Sequence, residues 1–250
     1  MSAGADDWEQ HWDQLAASAE RNPAQRYRRR LLCAILSAGS PRRILDIGSG
    51  QGDLARDLHA RFPTATIAGL ELSASGCAIS RQKVPDATFV QANLLEPQSP
   101  GELAGWADHA TCSEVLEHVD EPQTLLANAR GYLAPGCRLV VTVPGGPMSA
   151  FDRHIGHRTH YTVHTLRALL EGSGFIVDRT YAAGFPFHNL YRLVVIARGD
   201  KLAEDVSWAE GDRQPPLARL VMGTFDGLFW MNVASSPWGW QIAASARLPA

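Results

Sequence analysis

Residues 44–53 read ILDIGSGQGD, a short apolar run followed by three closely spaced glycines. The apolar run is typical of a buried strand, and the residues that follow Asp53 have the periodicity of a helix. Glycine allows the backbone to turn sharply and to approach a ligand closely. The stretch therefore predicts a strand, a turn and a helix, with a ligand bound against Gly48, Gly50 and Gly52.

The charges around this turn restrict the kind of ligand. The spacing is Gly-x-Gly-x-Gly, whereas dinucleotide-binding turns read Gly-x-Gly-x-x-Gly, and the Gly-Lys-Ser/Thr of a P-loop does not follow. Asp46 and Asp53 flank the glycines, and two carboxylates oppose a pyrophosphate at the N-terminus of a helix. A ligand with positively charged groups suits this turn better.

From residue 44 onward, short β-branched runs alternate with segments of helical periodicity. This alternation is typical of a parallel sheet with crossover helices, and it predicts an α/β, Rossmann-like fold. The predicted strands are Arg43–Ile47, Thr66–Leu70, Thr88–Gln91, Ala107–Ser113, Arg138–Val143, Phe175–Tyr181 and a last strand within 240–247. The predicted helices are Asp53–Arg61, Ser73–Lys83 and Gln123–Leu133.

The same pattern divides the chain into four segments. Residues 1–40 are predicted to form helices that cap the cofactor or substrate site, the first carrying Trp8, Trp12 and Leu15 at helical spacing. Residues 41–184 form the α/β core. Residues 185–236 are predicted to be a helical insertion before the last strand, either a lid over the pocket or a dimer surface. Residues 237–250 supply the final strand of the core.

Composition and charge argue against nucleic acid as a partner. The chain has 250 residues, 45% of them hydrophobic, with a net charge of −3 and a pI near 6.3. Such a chain has a sizeable core and no global positive field to neutralise phosphates. We expect the run of arginines within residues 26–30 to be a solvated helix face.

The sequence also predicts a cytoplasmic protein with no membrane partner. Cys33, Cys77, Cys112 and Cys137 are widely scattered, which argues against a zinc ribbon or a disulfide framework. The first ten residues are polar and acidic, unlike a signal peptide. The longest apolar runs are about five residues, far below the ~20 that span a bilayer.

Two polar side chains follow the next two predicted strands. Glu71 comes nineteen residues after Gly52, at the end of the second strand, where an acid accepts hydrogen bonds from both hydroxyls of a ribose. Asn93 lies at the end of the third strand, where its side-chain oxygen can accept from an adenine amino group. In this order and spacing the two residues indicate a nucleoside ligand.

Together with SEVLEHVDEP at residues 113–122, these motifs resemble the class I S-adenosylmethionine-dependent methyltransferases over residues 40–182 and the final strand. The resemblance implies a seven-stranded sheet whose last strand is antiparallel, with S-adenosylmethionine as cofactor. It implies that the glycines wrap the methionine moiety, that Glu71 holds the ribose, and that Asn93 and the Leu94 amide face the adenine. At position 93 the family more usually has Asp. Asn93 keeps the acceptor oxygen and lacks the charge. The implied cofactor-binding residues are Asp46, Gly48, Ser49, Gly50, Gly52, Glu71, Leu72, Asn93, Leu94 and Ser113.

The segment after the fourth strand carries candidate chemistry. Glu114, Glu117 and His118 have i, i+3, i+4 spacing, which puts them on one face if the segment is helical. The Asp/Asn-Pro-Pro-Tyr motif of DNA amino-methyltransferases and the Pro-Cys nucleophile of cytosine enzymes are missing from the sequence. The segment is similar to the metal-binding stretch of small-RNA 2′-O-methyltransferases and to ubiquinone-pathway O-methyltransferases, but it also occurs in methyltransferases of many other substrates. A metal, an acid/base and a packing role therefore stay open.

A long loop at residues 144–162 follows the fifth strand. Loops at this edge of an open α/β sheet lie where ligands bind, so we expect it to close over the substrate. His157 and Tyr161 would line the pocket, and Arg153 or Arg158 would pair with Asp152 or bind an acidic group of the substrate. The candidate catalytic residues of both segments are His118, His157, His160, Glu114 and Tyr161.

These features predict an enzyme that transfers a methyl group from S-adenosylmethionine to an oxygen or nitrogen of a small-molecule acceptor, mostly by positioning the reactants. A metal-free histidine base is favoured. One alternative is O-methylation of a vicinal diol or catechol, assisted by a divalent ion on Glu114, Glu117 and His118. Another is a catalytically silent subunit that binds the cofactor, and a homodimer through residues 185–236 also stays open.

Overall fold

A computed structural model describes residues 22–198 and 216–250. Its centre is a seven-stranded sheet in the order β3-β2-β1-β4-β5-β7-β6. β7 is antiparallel to both neighbours, and the pairs among β1 to β5 are parallel. The predicted Rossmann-like sheet with an antiparallel last strand is confirmed. The strands are β1 Arg43–Ile47, β2 Thr66–Glu71, β3 Thr88–Gln91, β4 Ala107–Ser113, β5 Leu133–Pro144, β6 Ile176–Ala183 and β7 Gln241–Arg247.

Helices cover the sheet and connect its strands. They are α1 Pro23–Leu36, α2 Asp53–Arg61, α3 Ala74–Lys83, α4 Pro122–Ala129, α5 Ala150–His154, α6 Val163–Gly172, α7 Phe187–Arg198 and α8 Pro216–Leu228. The helices α7 and α8 lie between β6 and β7, as the predicted insertion requires. None of the helices in the described ranges is long and apolar enough to cross a membrane.

Two boundaries differ from the sequence prediction. The helix predicted to reach Leu133 ends at Ala129, because a 3-10 turn follows and Leu133 already pairs with Ala107 of β4. β5 is therefore longer than predicted at its start. The loop after β5 contains a short helix, α5, which Ser149 caps by accepting a hydrogen bond from the Asp152 N–H at 3.1 Å.

The core lies on both faces of the sheet. One buried cluster joins β4 and β5 to α4 and α6, with Leu116, Leu126 and Leu166 fully buried. The other joins β1 and β2 to α1 and α2, with Leu32 and Leu58 fully buried. These two clusters hold the carboxyl ends of β1, β2 and β4 in fixed register, so the residues that follow those strands are presented at one edge.

The helix α1 is anchored by charged groups as well as by apolar contacts. Arg28 and Arg29 are buried, so the expectation of a solvated arginine face is wrong for these two residues. The Arg29 Nε donates to Asp57 of α2 at 2.7 Å, and the Arg28 Nε donates to the side chain of Gln241 at 3.0 Å. Carboxylate and amide oxygens from elsewhere in the fold compensate both guanidinium groups. The predicted helix containing Trp8, Trp12 and Leu15 lies outside the described residues.

A buried ion pair fastens the insertion to the loop after β5. The Arg192 guanidinium of α7 donates to both carboxylate oxygens of Asp152, at 2.8 and 2.7 Å. The side chains of Arg192 and Asp152 are 7% and 1% exposed. Arg153 and Arg158 were the expected partners of Asp152, but neither binds it. Arg153 contacts the Ser149 carbonyl, and Arg158 pairs with Asp120.

We expect Arg192→Met to lower the free energy of unfolding by ~3–5 kcal/mol, because it leaves the Asp152 carboxylate buried and without its cation. Chemical denaturation measures this change. The matched control is Arg247→Met, which breaks the exposed pair with Asp178, whose side chains are 50% and 30% exposed. That variant should lose less than ~1 kcal/mol, and equal losses in both variants would contradict the structural role given to Arg192.

Candidate functional site

The turn between β1 and α2 depends on its glycines. Gly48, Gly50 and Gly52 have φ angles of 70°, 54° and 80°, in the left-handed region that favours glycine. A Cβ on Gly48 would lie 2.4 Å from Cγ2 of Val115. The backbone N–H groups of Gly48 and Ser49 both donate to the Leu70 carbonyl, at 2.8 and 3.0 Å. The turn is thus bound to β2 and packed against the segment that follows β4.

The two carboxylates that flank the turn have different surroundings. Asp53 accepts from the Lys83 ammonium at 2.6 Å and from the Gln51 amide at 2.8 Å, so a basic group of α3 already balances its charge. Asp46 accepts from the Thr111 hydroxyl at 2.7 Å, and its other oxygen has no hydrogen-bond partner among the described residues. Burial raises the pKa of Asp46 to about 7. Of the two acids, Asp46 is the one left for a cationic ligand.

The Glu71 carboxylate holds the glycine turn through a backbone hydrogen bond. Its carboxylate accepts from the Gly50 N–H at 2.8 Å and from the Ser73 N–H at 3.0 Å. Beside it, the Leu72 side chain is 43% exposed, which leaves an apolar surface next to this carboxylate.

The adjacent strand end carries the other residues expected to face the cofactor. The side-chain oxygen of Asn93 accepts from the Leu95 N–H at 3.1 Å, and Leu94 is buried in the core. The Ser113 hydroxyl lies 2.9 Å from that of Thr142 at the ends of β4 and β5. The cofactor-binding residues expected from the sequence thus follow the ends of β1, β2, β3 and β4.

Glu114 does not share a helical face with Glu117 and His118, so that prediction is wrong. Its φ of 56° is the only positive value among the described non-glycine residues, and the 3-10 turn begins after it, at Leu116. Its carboxylate accepts from the Gln241 amide at 2.8 Å and lies 3.0 Å from the Arg28 Nε. Glu114 is therefore part of a buried network that joins α1, the end of β4 and β7.

Glu117 is enclosed in the protein. Its side chain is 0% exposed, and neither carboxylate oxygen has a hydrogen-bond partner among the described residues. Burial, followed by the nearby Glu114 carboxylate, raises the pKa of Glu117 well above its usual range. Its backbone carbonyl accepts from the N–H groups of Arg158 and Thr159, at 2.7 and 3.3 Å, which fixes the loop against the turn.

Three histidines lie in a row beside Glu117. The rings of His118 and His157 meet edge to face with centroids 4.7 Å apart, and the Nε2 of His118 is 4.0 Å from a Glu117 oxygen. The Nδ1 of His157 is 3.1 Å from the Nε2 of His160, whose Nδ1 is 3.1 Å from the Gly146 carbonyl. Since a carbonyl only accepts, neutral His160 donates through Nδ1, and His157 donates to His160. The Nε2 of neutral His157 therefore keeps its lone pair.

Burial sets the charge state of the loop histidines. It lowers the pKa of His157 to about 2, with the neighbouring His118 as the next cause. Burial also lowers the pKa of His160. Both rings are neutral near pH 7, which makes His157 a poor general base by itself.

Tyr161 supports the turn that carries Glu117 and His118. Its hydroxyl donates to the Leu116 carbonyl at 3.1 Å, its side chain is buried, and its backbone N–H donates to the Pro144 carbonyl at 2.9 Å. Burial raises the pKa of this hydroxyl further above its usual range. The structure thus brings together four of the five candidate catalytic residues, while Glu114 faces Arg28 and Gln241.

Three side chains that shape this site were not among the predicted site residues: Arg28, Arg192 and Gln241. Each interacts with a residue far away in the chain, such as Arg28 with Gln241 across 213 positions. Arg28 was hidden within a run of arginines. Arg192 carried one usable signal, because it lies among apolar residues in the middle of its helix, and an arginine that is buried needs an acid as its partner.

The sheet order, the glycine turn and the acid at the end of β2 define a class I S-adenosylmethionine-dependent methyltransferase. Residues 19–180 match the family described as Methyltransferase domain, and the chain belongs to this family.

Curated relatives agree with this family. Trans-aconitate 2-methyltransferase of Delftia acidovorans is 29% identical over 166 residues, which cover 65% of this chain and 58% of that protein. Malonyl-acyl-carrier-protein O-methyltransferase of Halalkalibacterium halodurans is 30% identical over 117 residues, 46% of this chain and 43% of that protein. The chain thus matches about half the length of each relative.

Solved structures share the fold. The (4+2)-cyclase SpnF has a TM-score of 0.64 at 18% identity, and the match covers 97% of this chain and 96% of the SpnF chain. Phosphoethanolamine N-methyltransferase 2 of Haemonchus contortus has a TM-score of 0.60 at 16% identity and covers 99% of this chain and 61% of its own. Because these proteins are named for different reactions, the fold by itself does not identify the acceptor.

We expect Gly48→Ala to lower the free energy of unfolding by at least ~2 kcal/mol, because the added methyl group meets Val115 and the φ angle is left-handed. Thermal or urea denaturation measures the loss. The control is Gly172→Ala at the end of α6, where a Cβ meets nothing within 4 Å. That change should be neutral or stabilise by up to ~1 kcal/mol, and an unaffected Gly48→Ala would show that the turn tolerates a side chain.

Proposed function

We propose that this protein transfers the methyl group of S-adenosylmethionine to an oxygen or nitrogen of a small-molecule acceptor. One observation carries the proposal: Val115 packs on Gly48 of the glycine turn and directly precedes the turn that bears Glu117 and His118. A polar, enclosed cluster therefore lies beside the expected cofactor site. Methyl transfer needs the sulfonium and the acceptor atom side by side, and it gains most of its rate from that positioning.

The surroundings of the turn support the proposed cofactor roles. Asp46, one oxygen of which has no hydrogen-bond partner among the described residues, would attract the positive charge of the methionine moiety. Glu71 would exchange its hydrogen bonds to the turn for the ribose hydroxyls. Leu72, exposed next to Glu71, would cover one face of the adenine, and Asn93 and Leu94 would lie at its edge.

A groove on the insertion supports an acceptor with an apolar part. It has a volume of about 650 Å³ and lies between α7 and the segment before β7. The Trp240 ring packs on Gly146, whose carbonyl is bound by His160. One wall of the groove, Trp240, thus contacts the loop that carries the histidines. Its apolar lining includes Phe185, Phe187, Leu190, Leu193, Trp238 and Trp240.

A second candidate is metal-assisted O-methylation, the alternative that sequence analysis left open. The favouring observation is the grouping of Glu117, His118 and His157, with possible ligand atoms within 4.8 Å of one another. Glu114 is not part of this group, since Arg28 and Gln241 engage it. The ligand set therefore differs from the one that the sequence suggested.

We expect Glu71→Ala to weaken the binding of S-adenosylhomocysteine by at least ~10-fold, because each charge-assisted hydrogen bond to the ribose contributes ~1.5–3 kcal/mol. Isothermal calorimetry gives the dissociation constant. Glu71→Gln, which keeps one acceptor oxygen, should fall between that variant and the wild type. Glu102→Ala, at an exposed site in the turn before β4, is the control. Unchanged affinity in Glu71→Ala would place the ribose elsewhere.

The acceptor side is tested by measuring S-adenosylhomocysteine release with a panel of small carboxylic acids, catechols, vicinal diols and amines. Once an acceptor is found, Phe187→Ala should raise its KM several-fold and leave the affinity for S-adenosylhomocysteine unchanged, because Phe187 lines the groove and not the glycine turn. Leu220→Ala, 68% exposed and outside the groove, is the matched control. A change in cofactor affinity with an unchanged KM would contradict the groove assignment.

A further inference from the structure

We propose that Asp46 is protonated when the glycine turn holds no cofactor, and that it releases this proton to solvent when the turn binds S-adenosylmethionine. The carboxylate is then charged only where a cationic ligand balances it. This inference concerns how the turn selects a positively charged cofactor. It rests on the cofactor of the family and goes beyond the proposed methyl transfer, because it does not depend on the acceptor.

The first argument is the burial of Asp46. The residue is 1% exposed and belongs to β1, which lies between β2 and β4 in the sheet. One carboxyl oxygen accepts from the Thr111 hydroxyl at 2.7 Å, and the other has no hydrogen-bond partner among the described residues. One neutral donor does not replace the hydration of a full negative charge, and an uncompensated charge in the interior is costly. The neutral acid is therefore the more stable form in this environment.

The second argument is the charge of the groups that face Asp46 from the neighbouring elements. Burial is the largest cause of its raised pKa of about 7, the Thr111 hydrogen bond opposes it, and the nearby acid Glu71 at the end of β2 adds to it. The thiols of Cys33 in α1 and Cys112 in β4 also face Asp46, and burial raises the pKa of both, so both are neutral. No lysine or arginine of the described ranges forms an ion pair with Asp46.

The third argument is the contrast between Asp46 and Glu71. The Glu71 carboxylate accepts from the backbone N–H groups of Gly50 and Ser73, at 2.8 and 3.0 Å. Backbone donors stabilise the charged form of an acid, and two of them act on Glu71. Asp46 has one hydroxyl donor and no backbone donor among the described residues. Of the two acids beside the turn, Asp46 is therefore the one that exchanges a proton.

The exchange makes the affinity for the cofactor depend on pH, in a direction that the raised pKa fixes. Above the pKa of Asp46 the carboxylate is already charged, so a cationic ligand gains its full attraction. Below this pKa the acid is neutral, and part of the binding free energy is used to ionise it. The affinity therefore falls as the pH falls through about 7, and the number of protons released on binding rises over the same range.

The test is isothermal calorimetry of the full chain with S-adenosylmethionine and with S-adenosylhomocysteine, between about pH 5.5 and pH 7. Each titration is repeated in buffers of different ionisation enthalpy, and the difference in heat gives the number of protons released. The wild type should release about one proton at the lowest pH and about half a proton near pH 7, and its affinity should fall about 5-fold from pH 7 to pH 6. Proton release with both ligands, or with S-adenosylmethionine alone, supports the proposal, and release with neither overturns it.

Two variants assign the proton to Asp46. Asp46→Asn has nearly the shape of the neutral acid and keeps an oxygen for the Thr111 hydroxyl, so it should melt no lower than the wild type. It should bind S-adenosylmethionine more weakly than the wild type at pH 7, with no proton release and with an affinity that no longer changes down to pH 6. Thr111→Val removes the donor that lowers the pKa of Asp46, so the midpoint of the affinity change should move to higher pH. This second variant keeps the assignment testable if Asp46→Asn does not fold.

The matched control is Asp53→Asn at the other end of the same turn, where Lys83 already balances the carboxylate at 2.6 Å. This variant should release as many protons as the wild type. Equal release in Asp46→Asn and the wild type, or an affinity of the wild type that does not change with pH, would overturn the proposal. Binding without proton release would reject the inference alone and leave the proposed function standing. Absence of binding by either ligand would reject both.

Discussion

The contact between Gly48 and Val115 is the constraint on which the rest of the site depends. Parallel pairing of β1 with β4 brings the ends of these strands together, and the missing side chain at Gly48 lets the segment after β4 lie directly on the glycine turn. A larger residue at position 48 would push the turn bearing Glu117 and His118 away. The cofactor side and the acceptor side of the proposed reaction site are therefore adjacent because Gly48 has a hydrogen atom where other residues have a Cβ.

The distribution of charge explains which acids are structural. Six buried or nearly buried carboxylates surround the site. Three of them have a cation from a distant helix: Asp53 has Lys83, Glu114 has Arg28, and Asp152 has Arg192. Of the other three, Glu71 accepts from the Gly50 and Ser73 N–H groups, whereas Asp46 and Glu117 form no ion pair with a lysine or arginine among the described residues. A protein retains such groups where a ligand supplies the missing charge, so the pattern separates scaffold from binding residues more clearly than burial alone.

Local sequence was sufficient for the sheet and the glycine turn, because both depend on short-range periodicity and on the freedom of glycine. Local sequence was insufficient for Glu114. Its helical spacing with Glu117 predicted a shared helical face, but the positive φ at residue 114 interrupts any helix there. Arg28 and Arg192 were also beyond reach, because their roles depend on partners that only the tertiary fold brings near. The histidines were found as a group, but their hydrogen-bond order required coordinates.

The position of β7 between β5 and β6 has a consequence for the order in which the molecule folds. Among the described strands, β6 pairs with β7 alone, so it reaches the rest of the sheet only through a strand that is separated from it by 57 residues of chain. Such long-range pairing is slow to form, because the intervening loop must close first. We expect the half of the sheet around β1 to form early. β6, α7 and the ion pair between Arg192 and Asp152 should form last. The loop with the histidines would then be mobile in any folding intermediate, and the acceptor side would be completed only after the cofactor side.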